Sequence, residues 1–125
     1  MNLGEIYKWN TTKVVGYTTR DKYHVFICAS DSSNDNGFLF INSVEWFGDY
    51  QITKADYGFL AYDSFIGCNS LIPYSDAEVA AMGPGQPVGC LSKDHIKGLR
   101  DALIGADSMI RYDLNRACKA LADGM

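Results

Sequence analysis

His24, Ser43 and Asn42, with Arg20 and Lys22 nearby, are the side chains best suited to chemistry on an anionic group. An imidazole titrates near neutrality and can give or take a proton. A hydroxyl and a carboxamide can orient oxygen atoms, and a guanidinium with an ammonium can balance negative charge. Each residue also has a structural reading. His24 can be a satisfied histidine inside a strand, and Asn42 and Ser43 can simply end a strand by bonding its backbone.

What would bring them together is a hairpin. Residues 22–30 and 38–43 are β-branched and aromatic runs on either side of Asp31-Ser32-Ser33-Asn34-Asp35-Asn36-Gly37, a cluster of turn formers. Both runs are apolar with little alternation, so both faces of each strand should be covered, as in the wall of a small barrel. In an antiparallel pair the start of the first run and the end of the second lie side by side. His24, Asn42 and Ser43 then share one rim, with Arg20 and Lys22 just outside it. Asp63-Ser64 reads as a bulge or turn device, and His95 as a surface or packing residue.

The other elements follow from pattern. Residues 3–9 read as a first strand, and residues 10–21 as a loop with Val14-Val15 as its apolar anchor. Residues 50–53 make a short strand, 54–58 a single helical turn, 59–66 a further strand, and 71–74 an extended step. Ser75-Asp76-Ala77-Glu78 is a capping box that opens a short helix ended by Gly83-Pro84-Gly85. Residues 86–91 return as a last strand. Ser92 caps a longer helix with Ile96, Leu99, Leu103 and Ile104 on one face. Asp107-Ser108 interrupts it, and a second helical stretch carries Leu114, Ala117, Cys118 and Leu121. The fold class is mainly β with α: a partly closed antiparallel barrel, about residues 3–91, with a short internal helix and C-terminal helices over about 92–123. All 125 residues belong to one domain.

Bulk properties narrow the function classes. The net charge of −4 argues against non-specific nucleic-acid binding by the whole surface. Positive charge is local: Lys8, Lys13, Arg20 and Lys22 face only Glu5 and Asp21 in the first 24 residues. From Asp31 to Glu78, Lys54 is the only lysine or arginine among eight acids. Cys28, Cys68, Cys90 and Cys118 form no CxxC pair and read as buried thiols, and no metal-ligand spacing or cofactor motif is present, so neither metal nor cofactor is expected. With no apolar run of membrane-spanning length and no basic start leading into an apolar segment, the expectation is a cytoplasmic protein without membrane contact.

The order Gly4-Glu5-Ile6-Tyr7, a basic loop, Tyr23-His24-Val25-Phe26-Ile27, Phe40-Ile41-Asn42-Ser43, Asp63-Ser64-Phe65-Ile66 and Val88-Gly89-Cys90-Leu91-Ser92 resembles the MazF/PemK/Kid plasmid-maintenance toxins over roughly residues 4–104. That resemblance implies an SH3-like barrel that forms a homodimer, cleaves single-stranded RNA as an endoribonuclease, and is neutralised by an antitoxin peptide. The family has Arg-Pro where this chain has Tyr23-His24, a strand-ending threonine where it has Ser43, and a Gln-Ile-Arg where it has Asn69-Ser70-Leu71. On this reading His24, Ser43 and Arg20 are the catalytic residues, and Lys22, Asn42, Tyr23 and Trp46 bind substrate. Trp46 would stack on a base. The alternative is a catalytically silent barrel of the same fold that binds another protein.

Overall fold

The computed structural model describes residues 1–14, 16 and 18–124; Val15, half of the expected loop anchor, lies outside them. Among these residues the chain forms β1 (Glu5–Thr11), β2 (Arg20–Cys28), β3 (Asn36–Asn42), β4 (Tyr50–Ile52), β5 (Ser64–Ile66), β6 (Ile72–Tyr74), α1 (Asp76–Met82), β7 (Gly89–Cys90), α2 (Lys93–Ala106) and α3 (Arg111–Asp123). All strand pairs are antiparallel, in the order β4-β5-β3-β2-β1-β7, and the sheet curls into a partly closed barrel. β6 joins β3 on the same edge as β5 but at the other end. The Gly67 N–H closes the gap between them by donating to Phe40 O at 2.9 Å. Among the described residues no helix is long and apolar enough to cross a membrane.

The two apolar runs of the hairpin are covered on both faces, each by its own layer. Ile6, Val25, Ile27, Leu39 and Ile41 point into the main core, against Ile96, Leu99 and Leu103 of α2 and Leu114, Ala117 and Leu121 of α3. On the other face Tyr7, Trp9, Phe26 and Phe38 form an aromatic cluster with Tyr74 of β6, flanked by Val79 and Met82 of α1. Removing both faces of a sheet from water is what permits non-alternating strands.

Several expectations need correction. Asn36-Gly37 belongs to β3 rather than to the turn. Asn36 Nδ2 donates to Tyr74 O, and Gly37 leaves room where a Cβ would sit 2.7 Å from Cys28 Sγ. Residues 59–63 are not strand, because the chain closes two successive turns (Tyr57 N to Thr53 O, Leu60 N to Tyr57 O) before it can pair. Ile104 is exposed, since the helix turns it away from the face formed by Ile96, Leu99 and Leu103. All four cysteines are free, but of the four thiols expected to be buried only Cys28 and Cys68 are; Cys118 is half-buried and Cys90 is exposed.

The caps expected from sequence are present. Ser75 Oγ accepts from Glu78 N, and Glu78 Oε1 accepts from Ser75 N. Since α1 has only partly buried side chains, its hold on the aromatic cluster leans on this box. Ser75→Ala is expected to lower the unfolding free energy by about 1 kcal/mol, read as a shift in the urea midpoint. Further along, His95 fixes the start of α2. Its Nδ1 lies 2.5 Å from the Tyr57 hydroxyl, which also accepts from Ser92 N–H.

Candidate functional site

Register decides which residues meet at the rim. In the β2–β3 ladder Tyr23 pairs with Ile41 and His24 with Phe40, so the residue beside Asn42 is Lys22, and His24 lies two residues further in. Lys22 Nζ donates to Asn42 Oδ1 and sits 5.5 Å from the centre of the Phe40 ring. Lys22, Asn42 and Ser43 border a groove of about 460 Å³ together with Lys8, Arg20, Asp21, Tyr23, Lys54, Phe59 and Tyr62. Lys8 comes from β1, directly opposite Tyr23 in the ladder, and its Nζ lies 5.3 Å from the centre of the Tyr23 ring. Lys54 is anchored by donating to Leu60 O at 2.6 Å.

Four cationic side chains thus converge where only Asp21 carries opposing charge among the lining residues. Part of that carboxylate is already engaged by Asn10 Nδ2 at 3.0 Å. Lys22 is the unusual member. It is only 9% exposed and forms no ion pair with a carboxylate among the described residues. Burial, and then the adjacent Arg20 charge, bring its ammonium down to about 8. An amine so placed is charged at neutral pH yet gives up its proton readily.

His24 is not at the site. It is fully buried, stacked on Trp9 with ring centroids 4.0 Å apart, and both nitrogens are engaged. Nδ1 lies 2.9 Å from Lys22 O and Nε2 lies 3.0 Å from the Tyr74 hydroxyl. A carbonyl only accepts, so Nδ1 carries the proton, and neutral Nε2 must accept from Tyr74. Tyr74 has then spent its hydrogen, so the Thr11 hydroxyl at 2.5 Å donates to it, while Thr11 Oγ1 accepts from Lys13 N. The result is a one-directional chain of hydrogen bonds across the aromatic cluster. Burial pushes the imidazole down to about 4, so it stays neutral at physiological pH. The apolar strand around His24 was the sequence signal for this structural role.

The remaining predicted residues separate into two concavities. Arg20, Lys22, Tyr23, Asn42 and Ser43 line the cationic groove, whereas Trp46 lines a second pocket that shares Asn42 with it. Sequence reasoning missed Lys8, Lys54 and Tyr62. Lys8 could have been found by pairing the first strand with the second in register. Lys54 and Tyr62 arrive through irregular backbone and left no pattern. Among the described residues no group of three or more His, Cys, Asp or Glu could hold a metal ion.

No protein-family model matches this chain, and no curated protein is significantly similar to it.

Proposed function

We propose that the chain is a MazF/PemK-like toxin barrel that binds single-stranded RNA through its phosphates in the Lys8–Arg20–Lys22 groove and cleaves it. One observation carries this reading: an acidic protein of net charge −4 gathers four cations in a single groove. Lys22 takes the proton-transfer role instead of His24. The RNA 2′-oxygen forms a bond to phosphorus and its proton passes to solvent. The bond from phosphorus to the 5′-oxygen breaks, and the Lys22 ammonium protonates that leaving oxygen. Arg20 balances the charge that builds on the phosphoryl oxygens, Ser43 hydrogen-bonds one of them, and Asn42 aims the ammonium. The partners this reading implies are a second copy of the chain and an antitoxin peptide whose acidic side chains compete for the same cations.

The test is cleavage of a long single-stranded RNA. Wild type is expected to cut it, Arg20→Ala and Lys22→Met to lose about a hundredfold or more, and folded His24→Gln to cut normally. A wild type that neither binds nor cuts RNA sinks the proposal. The burial of His24 favours a second reading, in which the same barrel has no chemistry and acts through protein contacts. That reading expects overexpression to leave growth and bulk messenger RNA intact. Growth arrest that depends on Arg20 and Lys22 counts against it.

A further inference from the structure

The Lys22–Asn42 pair stands between two concavities, and the second has a different character. Phe40, Trp46 and Ile72 give it apolar walls, while Asn42, Asn69 and Ser70 bring polar groups to its lining. Its volume of about 340 Å³ lies at the lower end for ligand pockets. Trp46 lines the pocket and is 66% exposed, so much of its indole surface is open to a flat partner.

Two hydrogen bonds set what the polar groups offer. Asn42 Oδ1 is committed to the Lys22 ammonium, which leaves the Asn42 N–H₂ group to donate. Asn69 Oδ1 accepts from Ser108 Oγ at 2.6 Å, so its N–H₂ group is likewise left to donate. Gly67 keeps the space beside Asn42 open, because a Cβ there would come within 3.3 Å of Asn42 Nδ2. The pocket therefore combines an aromatic platform with amide donors, one strand-end away from a phosphate groove.

We infer that this pocket is a nucleobase subsite. It takes the base adjacent to the phosphate held at Lys22, stacked on Trp46 and read at its acceptor atoms by Asn42 and Asn69. The inference rests on the RNA reading above. A flexible single strand can place a phosphate over the Lys22–Asn42 divide and drop one base behind it, which a duplex with stacked, paired bases cannot do.

The experiment compares binding of a short single-stranded RNA with that of an abasic ribose-phosphate oligomer of the same length. Trp46→Leu is suitable because the side chain is exposed, and Asn69→Ala provides a second variant. Trp46→Leu is expected to weaken the base-bearing oligomer by about 5- to 150-fold and leave the abasic one unchanged. Asn69→Ala should act in the same selective way with a smaller loss. Equal affinity of wild type and both variants for the base-bearing RNA overturns the subsite while leaving the phosphate groove standing. If wild type binds neither oligomer, the RNA reading fails and the subsite with it.

Discussion

A Lys22→Met protein is expected to be more stable than the parent by roughly 1–3 kcal/mol at pH 7, and inactive. The parent holds a lysine that is only 9% exposed as a residue, beside Arg20 and without an ion-paired carboxylate among the described residues. Replacing a buried charge by an apolar side chain of similar length is often stabilising, because the desolvation penalty disappears with the charge. The lost bond to Asn42 offsets part of that gain. The sign can be checked through pH. Lys22 falls from 10.5 in the unfolded chain to about 8 when folded. Between those values the unfolded state binds the proton and the folded state does not, so this group makes wild-type stability rise with pH across that window. Lys22→Met should lack the rise. Urea unfolding at pH 7, 9 and 10.5 measures both effects, and a variant less stable than wild type with the same high-pH slope would refute them.

The second large effect lies on the acid side and belongs to His24. Its imidazole titrates at 6.5 in an unfolded chain and near 4 when folded. Below pH 6.5 the unfolded state gains a proton that the folded state refuses, so stability falls as pH drops to about 4 and this contribution then levels off. The loss amounts to roughly 3 kcal/mol over that window. Glu5, Asp31, Asp76 and Glu78, all held below their usual range by hydrogen bonds, add acid sensitivity at lower pH. A difference measurement therefore isolates the imidazole. His24→Gln should lose less stability than wild type between pH 6.5 and 4.5. The His24 ring protons in an NMR titration should stay at their neutral shifts until pH approaches 4, and a midpoint near 6.5 would contradict the buried, one-directional network.

The two predictions also show how much the sequence could reveal. The hairpin, its double-sided burial and the helix caps at Ser75 and Ser92 were legible, because β-branched runs, turn formers and capping residues act locally. The rim was legible only to within two residues of register. Reading the strand starts placed His24 beside Asn42, but the ladder puts Lys22 there and turns His24 onto Trp9. Register is set by side-chain fit across strands, and the partner that secures His24 is Tyr74, fifty residues away. Phe59 and Leu60 look like strand by composition, yet backbone bonds back to Thr53 and Tyr57 take the local chain out of the sheet. Such competition between turn and ladder leaves no periodic trace.

The cationic groove has a consequence for encounter as well as for binding. Four of the eleven lysines and arginines meet at the mouth between β1, β2 and the turns after β4, and Lys54 among them is the one cation of the segment from Asp31 to Glu78, which carries eight acids. Like charges gathered in one cleft add their fields there. On the proposed reading, a single-stranded RNA meets that local field before first contact and is drawn toward the groove. Salt therefore slows productive collisions as well as loosening the contacts they produce.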